Sequence, residues 1–269
     1  MNNKKIAFIS GAAGGLGQAA AELFHNQGYR LWLTDVDQQG VEKLQKHYPD
    51  AIIDNTDLMD DEQLEALCLK LESSEHDIQL AYINAGVSLP GKVVDTNRNK
   101  IDLQLNINLR SACHFNHALA CKMKAQGGGH IINTLSTAAM ISLQEGAAYC
   151  ASKFGLRGFL IALAAEMKPY GVTVSGIYPN AIDTPMLRYE AVNGGSPLNF
   201  LDDPITPDDI ITAIQKAQKG KKLEYFVPAK DSLSAKLISV FPGLLNRLYP
   251  LLEKMGEKGR QKYIRSRGL

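Results

Sequence analysis

The sequence has little of what would mark it as a disulfide-rich, secreted or membrane-spanning protein. Its 269 residues include only four cysteines, and no two of these form a CxxC pair. Residues 1–9 begin polar and basic and have no apolar signal-peptide core. The longest uncharged apolar stretch, residues 237–246, is far shorter than the ~20 residues that span a bilayer. We therefore expect a cytoplasmic protein with reduced thiols and no transmembrane helix.

An excess of charge of one sign is also missing. The 29 lysines and arginines nearly balance 28 aspartates and glutamates, so the formal net charge is +1. This balance argues against nucleic acid as a partner. Basic residues predominate only at the end of the chain, where six of them follow from Lys254 onward with a single glutamate.

What the chain does have is a regular alternation of short apolar runs with longer segments of helical periodicity. Continuous apolar runs are typical of strands buried on both faces of a parallel sheet. Strands that alternate with helices indicate βαβ units. The sequence therefore predicts one α/β domain over residues 1–269, with a doubly wound, Rossmann-like parallel sheet flanked by helices on both faces. The strands are predicted at residues 5–10, 30–34, 51–53, 80–83, 130–134 and 172–177.

Two regions fall outside this alternation. Residues 183–207 are rich in Pro, Gly, Asn and Asp without a clear period, which predicts a long substrate loop. Residues 231–269 carry apolar residues at helical spacing and predict an amphipathic extension whose helices break near Pro242 and Pro250. Three interpretations of the extension stay open: a subunit interface, a lid over a substrate pocket, or contact with an anionic membrane surface.

A glycine-rich string lies between the first predicted strand and the first predicted helix. It reads Ser-Gly-Ala-Ala-Gly-Gly-Leu-Gly over residues 10–17. Glycines permit a tight turn and let the backbone approach a pyrophosphate, whose charge then lies at the helix N-terminus. In this position the string predicts a dinucleotide-binding site formed by Gly11, Gly15, Leu16 and Gly17.

Asp35 indicates which dinucleotide binds. It follows the second predicted strand, eighteen residues beyond Gly17. A carboxylate there can bind both hydroxyls of the adenosine ribose, and it repels the 2′-phosphate of NADP. Neither Gly14 nor Val36 supplies a cation that would offset this repulsion. The sequence therefore predicts NAD as the cofactor.

Tyr149 and Lys153 form a second pattern with chemical meaning. Residues four apart on a helix lie on one face, so the Lys153 ammonium can lie beside the Tyr149 phenol. A tyrosine with its ordinary pKa of ~10 is a poor base at neutral pH. A neighbouring cation stabilises the phenolate, so we expect a lowered pKa at Tyr149 and proton exchange with a substrate.

Together these patterns resemble the short-chain dehydrogenase/reductase family, whose single-domain members carry TGxxxGxG and YxxxK motifs. Gly11, Gly15 and Gly17 match the first motif, and Ser10 replaces the threonine. The resemblance extends from Lys5 to about Val227. It implies a parallel sheet of about seven strands, hydride transfer between a nicotinamide and a carbonyl or alcohol carbon, and assembly as a homotetramer or dimer.

The resemblance also implies two more catalytic residues besides Tyr149 and Lys153. The catalytic serine corresponds to Ser136, thirteen residues before the tyrosine, with Thr137 and Ser142 as rivals. The asparagine that holds a water in the proton relay, next to a helix break, corresponds to Asn108. Asn106 is its rival.

Further cofactor contacts are implied after the third, fourth and sixth strands. In the family, an aspartate after the third strand contacts adenine, and Asp54 takes that place here. Asn180 replaces a glycine of the family, and because asparagine tolerates positive φ we expect the turn to be kept. The implied contacts are Asp54, Asn55, Asn84, Ala85, Gly86, Pro179, Ile182 and Thr184.

These residues predict an NAD-dependent alcohol dehydrogenase that acts on a secondary alcohol or ketone, and a hydrophobic one of lipid, steroid or terpenoid type. An NADPH-dependent carbonyl reductase of 3-oxoacyl type is the alternative within the same chemistry, and Asp35 argues against it. A non-catalytic dinucleotide sensor or scaffold is the alternative from another class. His114 and His117 lie at helical spacing without a third ligand nearby in the sequence, so no metal site is expected.

Overall fold

The computed structural model describes residues 5–269 and contains a seven-stranded sheet with the order β3-β2-β1-β4-β5-β6-β7. All neighbouring strands pair in parallel. The predicted doubly wound, Rossmann-like sheet is confirmed. The strands are β1 (Ile6–Ser10), β2 (Arg30–Asp35), β3 (Ile52–Asn55), β4 (Ile78–Ile83), β5 (Gly129–Thr134), β6 (Val172–Pro179) and β7 (Glu224–Val227).

Helices cover both faces of the sheet because each strand sends alternate side chains to opposite sides. Ile6 and Phe8 of β1 pack on one side with the core of α3, α5 and α6, while Ala7 and Ile9 pack on the other with α1, α2 and α8. The helices are α1 (Gly15–Asn26), α2 (Gln38–His47), α3 (Asp61–Glu72), α4 (Arg98–Leu105), α5 (Ser111–Ala125), α6 (Ala147–Met167), α7 (Pro185–Asn193), α8 (Pro207–Gly220), α9 (Asp231–Val240) and α10 (Pro242–Arg267).

Residues 183–207 are not the irregular loop that their composition predicted. They contain α7 and a 3₁₀ turn, Pro197–Phe200. Pro185 occupies the first turn of α7, where its missing N–H costs nothing and its fixed φ suits a helix. Leu187 and Ala191 on one face of α7 are buried against Phe200 and Tyr263. Tertiary packing therefore orders a segment whose prolines had indicated a loop.

The C-terminal extension forms two helices, and the predicted break near Pro242 is their boundary. The expected break at Pro250 is wrong, because α10 continues through it. Leu245 and Tyr249 lie on the buried side of α10 and pack against Leu198. These contacts before Pro250, and that of Tyr263 after it, hold the helix on both sides of the proline.

Two glycines let α10 approach the 3₁₀ turn at Pro197–Phe200 very closely. A Cβ atom on Gly256 would lie 2.2 Å from the carbonyl oxygen of Pro197. A Cβ atom on Gly259 would lie 1.9 Å from the carbonyl oxygen of Phe200. Both distances are shorter than any side chain allows, so the helix packs backbone to backbone at this point.

The substitution Gly259→Ala is expected to lower the free energy of unfolding by about 1–3 kcal/mol, because the added methyl group overpacks a contact that cannot open locally. Thermal or urea unfolding followed by circular dichroism measures the change. Gly243→Ala is the matched control in the same helix, since nothing lies within 4 Å of the added carbon. It should be neutral or stabilising by up to ~1 kcal/mol. Equal stability of the two variants would contradict the close packing.

In the described part of the chain, α6 together with the 3₁₀ turn that follows it (Ala147–Tyr170) is long and apolar enough to cross a membrane by length and composition alone. The buried side of this helix packs in the core beside the sheet through Leu156, Leu160 and Leu163. A core helix meets the same criteria.

Candidate active site

A cavity of about 570 Å³ lies at the carboxyl ends of the strands. The chain reaches it from the β1–α1 loop, the ends of β2, β4, β5 and β6, the start of α6, and α7. The strand order reverses between β1 and β4, and ligands of open α/β sheets bind at such a reversal. The cavity is therefore the candidate active site.

The glycine-rich string forms one wall of this cavity. Gly11, Gly15 and Leu16 line it, whereas Gly17 lies behind it. Gly11 has φ +66°, and a Cβ atom there would lie 2.8 Å from the Cα of Ala85. A Cβ atom on Gly17 would lie 2.1 Å from the Gly11 carbonyl oxygen. Both positions require glycine, the first for the turn and the second for packing.

The N-terminus of α1 is suited to an anionic group. Gly14 precedes the helix, no side chain caps it, and its first turn contains no acidic residue. Backbone N–H groups at such a terminus lack partners within the helix, and the helix dipole favours negative charge there. The predicted pyrophosphate position is therefore compatible with the structure.

Asp35 lies at the end of β2 and lines the cavity. Its carboxylate accepts hydrogen bonds from the backbone N–H of Ala13 (2.9 Å) and of Asp37 (3.0 Å). These bonds tie β2 to the glycine-rich string. Among residues 5–269, Lys153 is the only lysine or arginine that lines the cavity. No cation beside Asp35 is available for a 2′-phosphate in that part of the chain.

Asp54 does not line the cavity, which corrects its assignment as the adenine contact. Its carboxylate accepts hydrogen bonds from Trp32 Nε1 (2.7 Å) and Lys70 Nζ (2.5 Å). Asn55 also lies outside the cavity, and its amide donates to the carbonyl oxygens of Asp35 and Val36. The aspartate of this segment that lines the cavity is Asp57.

Asp57 carried a signal that sequence reasoning missed. Asp57 lies two residues beyond the end of β3 and three residues after Asp54. The sequence does not fix where the short third strand ends, so it does not decide which of the two aspartates reaches the cavity. Asp57, not Asp54, is therefore the aspartate near β3 that a ligand in the cavity could contact.

Asn84, Ala85 and Gly86 follow β4 and line the cavity. The Ser10 hydroxyl accepts hydrogen bonds from the backbone N–H of Asn84 (3.0 Å) and of Ala85 (3.2 Å). The Asn84 amide donates to the Gly11 carbonyl oxygen (3.3 Å). The end of β4 and the glycine-rich string therefore form one hydrogen-bonded unit.

Pro179, Ile182 and Thr184 line the cavity after β6. Asn180 does not use the positive φ that was expected of it, since the only described non-glycine residues with positive φ are Glu145 and Lys221. Its side chain instead accepts from the Ala181 N–H (2.9 Å) and donates to Asp231 (3.2 Å). The turn after β6 is therefore stabilised by hydrogen bonds of the Asn180 side chain.

Ser136, Tyr149 and Lys153 meet at the centre of the cavity. The Ser136 hydroxyl lies close enough to the Tyr149 phenol to lower its pKa. The buried Lys153 ammonium donates to the Thr134 carbonyl oxygen (3.0 Å) and lies 5.6 Å from the centre of the Tyr149 ring. Thr137 lines the cavity as well, whereas Ser142 does not.

Burial dominates the electrostatics of this group. It raises the pKa of Tyr149, and the charge of Glu190 raises it further, while the Ser136 hydroxyl opposes them. Burial also lowers the pKa of Lys153 to about 8. The lowered pKa of Tyr149 that was expected from Lys153 is not found, because burial and the charge of Glu190 raise it.

Asn108 lies behind the cavity and is buried. It belongs to a π-helical turn, Asn106–Arg110, that interrupts the path from α4 to α5, so a helix break occurs where one was expected. Its side chain accepts from the Val87 N–H (2.7 Å), and donates to the Val87 carbonyl oxygen (2.8 Å) and to Ser152 Oγ (3.3 Å). Asn108 thus holds the cavity wall at Val87.

Glu190 is a cavity residue that the sequence did not indicate. It is buried, lines the cavity from α7, and accepts a hydrogen bond from Asn199 (2.9 Å). Burial raises its pKa, against hydrogen bonds from Ser88 and Asn199. Glu190 lies in α7, within residues 183–207, whose composition predicts a loop. The sequence pattern therefore gives no reason to place Glu190 at the cavity.

Tyr249 of α10 is a second residue that was missed. Its hydroxyl accepts from the backbone N–H of Gln144 (3.0 Å) and shares a hydrogen bond with Ser196 Oγ (2.9 Å). Gln144 and Ser196 both line the cavity. The C-terminal extension therefore supports the rim of the cavity within the same chain.

His117 has partners that its sequence neighbourhood did not show. Glu72 of α3 lies 3.4 Å from His117 Nδ1, and Cys121 Sγ lies 3.8 Å from its other ring nitrogen. The three could share a metal ion by distance, but His117 and Cys121 are exposed. His114 is not part of this group.

Comparison with known proteins identifies the family. The family model described as short chain dehydrogenase matches residues 5–193. An NAD-dependent glycerol dehydrogenase of Listeria innocua is 31% identical over 181 residues, which cover 67% of this chain and 71% of that protein. A cyclohexanol dehydrogenase of an Acinetobacter species is 28% identical over 192 residues, which cover 69% of this chain and 76% of that protein.

A solved structure agrees with the fold. A short-chain dehydrogenase from Burkholderia cenocepacia, crystallised in complex with NADP, superposes with a TM-score of 0.76 at 23% identity. The match covers 92% of this chain and 99% of that one. With the family match over residues 5–193, the chain belongs to the short-chain dehydrogenase/reductase family of oxidoreductases.

Proposed function

We propose that the protein is an NAD-dependent dehydrogenase that interconverts a hydrophobic secondary alcohol and its ketone. The observation that carries the proposal is that Ser136, Tyr149 and the buried Lys153 line the same cavity as the glycine-rich string. A proton-transfer group and a dinucleotide cradle in one cavity are what hydride transfer requires.

The residues of the cavity fit a dinucleotide. The close approach of Gly11 to Ala85 leaves a cradle that a side chain would fill, and the N-terminus of α1 offers backbone N–H groups to a pyrophosphate. Asp35 would hold the adenosine ribose, and Asp57 the adenine. Lys153 and Pro179–Thr184 would hold the nicotinamide ribose and ring, which supplies the acceptor for the hydride.

In the proposed reaction Ser136 donates or accepts a hydrogen bond at the substrate oxygen and orients it toward Tyr149. The Tyr149 phenolate takes the hydroxyl proton while hydride leaves the adjacent carbon, so the C–O bond becomes a carbonyl. In the reverse direction Tyr149 donates the proton. The ammonium of Lys153 stabilises the phenolate, and Asn108 keeps the wall at Val87 in place.

The apolar lining beyond Tyr149 supports a hydrophobic substrate. Val87, Leu143, Met186 and Leu187 line this part of the cavity. Glu190 interrupts the apolar lining, so a substrate meets one buried carboxylate near the reacting carbon.

The test is a steady-state assay of the purified protein with NAD and with NADP, following the absorbance of reduced nicotinamide. Cyclohexanol, larger secondary alcohols and glycerol form the substrate panel, because relatives act on two of these. Turnover of the cyclic and larger alcohols with NAD is expected. Nucleotide binding without any turnover would favour the non-catalytic alternative, and reduction of a 3-oxoacyl thioester with NADPH would favour the reductase.

The substitution Glu190→Gln should shift the rising limb of the pH profile of kcat/KM for alcohol oxidation toward lower pH. The negative charge of Glu190 disfavours the Tyr149 phenolate, so its removal lowers the pKa of Tyr149. The amide oxygen of glutamine can still accept the hydrogen bond from Asn199. The profile is measured by initial rates across the alkaline range.

Glu145→Gln is the matched control. Glu145 also lines the cavity, but its carboxylate accepts from the Gly195 N–H and does not influence the Tyr149 pKa. The rising limb of the pH profile of Glu145→Gln should lie at the same pH as that of wild type. A limb that moves to higher pH in Glu190→Gln, or equally in both variants, would contradict the role of Glu190.

A further inference from the structure

The C-terminal helices present an apolar surface that no part of residues 5–269 covers. On α9 the exposed residues lie at spacings of four and three, and on α10 they repeat the same spacing, so each helix carries one stripe. Phe241 joins the two stripes between the helices. We name this surface the apolar C-terminal face; its side chains are 39–80% exposed and belong to Leu233, Leu237, Val240, Phe241, Leu244, Leu248 and Leu251.

The face is distinct from the side of α10 that packs on the protein. Leu245 and Tyr249 are buried against Leu198, at the rim of the cavity. α10 therefore carries two apolar stripes, and core packing accounts for only one. Isolated exposed apolar residues are ordinary, but a contiguous set of this size marks an interaction surface.

The unpaired charges that border the apolar stripe of α10 are positive. Lys236 of α9 pairs with Glu224 (3.4 Å), and Glu253, two residues after Leu251, points away from the apolar stripe of α10. Arg247 and the nearby Lys254 are exposed and form no ion pair within the described residues. An apolar face bordered by cations complements the headgroups and acyl chains of an anionic lipid surface.

A second copy of the chain would match this face less well. A two-fold contact places the same patch of both subunits together, so Arg247 and Lys254 of each copy would lie near those of the other. Glu253, the acidic residue nearest to them on α10, lies on the side of the helix opposite the apolar stripe. Charge complementarity therefore favours lipid.

We propose that α9 and the first half of α10 bind the surface of an anionic membrane through the apolar C-terminal face. The helices would lie in the plane of the interface, with Phe241 and the stripes among the acyl chains and Arg247 and Lys254 at the headgroups. Binding of this kind requires neither nucleotide nor substrate, so it stands apart from the proposed catalysis.

Co-sedimentation of the full chain with vesicles tests the proposal. Wild type should bind vesicles of phosphatidylcholine mixed with phosphatidylglycerol more strongly than phosphatidylcholine alone, and salt should weaken binding. The double variant Phe241→Glu, Leu251→Glu should lose about tenfold or more of its vesicle affinity. The double variant Leu69→Glu, Val94→Glu changes equally exposed apolar residues elsewhere and should bind like wild type.

Circular dichroism and thermal unfolding check that both double variants are folded. The proposal is overturned if wild type ignores anionic vesicles, or if both double variants bind equally well. It is also overturned if wild type fails to bind vesicles and forms an oligomer that Phe241→Glu, Leu251→Glu dissociates, because a second copy would then cover the face.

Discussion

The substitution Tyr149→Phe is expected to lower kcat for alcohol oxidation by about 10²–10⁴-fold, because it removes the group that takes the proton from the substrate hydroxyl. The ring itself stays, and with it the packing at the start of α6. Nucleotide affinity should change little, since the phenol oxygen contributes to the chemical step more than to binding. Initial rates measure the first effect, and fluorescence titration with the nucleotide measures the second.

Tyr170→Phe serves as the control for the loss of a phenol. Tyr170 lies just beyond the C-terminal end of α6 and is exposed. Its variant should keep the rate of wild type. If Tyr149→Phe retained a rate close to that of wild type, another group would have to carry the proton, and Tyr149 would be only a packing residue.

Most of the fold could be predicted from local patterns. Apolar runs such as Ile6–Ser10 identified strands, and the alternation with helices indicated a parallel sheet. Strand bounds were less certain, because β3 is short and only partly buried. For this reason the sequence pattern places the adenine contact at Asp54, three residues too early. Asp57 is the aspartate that lines the cavity.

Segments whose order comes from tertiary contacts could not be predicted. Pro185 and the glycines near it indicated a loop, yet α7 is held by Leu187 and Ala191 against Phe200 and Tyr263, far apart in the sequence. Pro250 indicated a helix break, yet packing on both sides of it keeps α10 continuous. In both cases a local signal was outweighed by burial.

The electrostatics of the site show the same limit. A lysine four residues after a tyrosine predicts a stabilised phenolate. This prediction omits the cost of burying Tyr149 and the charge of Glu190, which comes from a helix much later in the chain. Glu190 became visible only once α7 was placed over the cavity.

The choice between NAD and NADP is expected to depend on Asp35. Asp35→Ala should weaken NAD binding by about 10–100-fold, because a hydrogen bond to a charged group contributes ~1.5–3 kcal/mol and each 1.4 kcal/mol is tenfold in affinity. It should also strengthen NADP binding, since the repulsion of the 2′-phosphate is removed. Calorimetric titration with both nucleotides measures the ratio of the two affinities.

Loss of the Asp35 carboxylate also removes hydrogen bonds within the protein. The variant Asp35→Asn separates this effect from the loss of charge. Asp35 also accepts hydrogen bonds from Ala13 and Asp37, so alanine there loosens the glycine-rich string. An asparagine side chain keeps one oxygen that can accept such a bond and carries no charge. Asp35→Asn should therefore relax the preference against NADP with less loss of overall affinity.

Asp37→Asn is the matched control, because Asp37 also lines the cavity two residues later. It should leave the ratio of the two affinities as it is in wild type. If wild type bound NADP as tightly as NAD, or if Asp35→Asn left the ratio unchanged, Asp35 would serve only to hold β2 against the glycine-rich string. The nucleotide preference would then have to come from residues further along the cavity, such as Asp57.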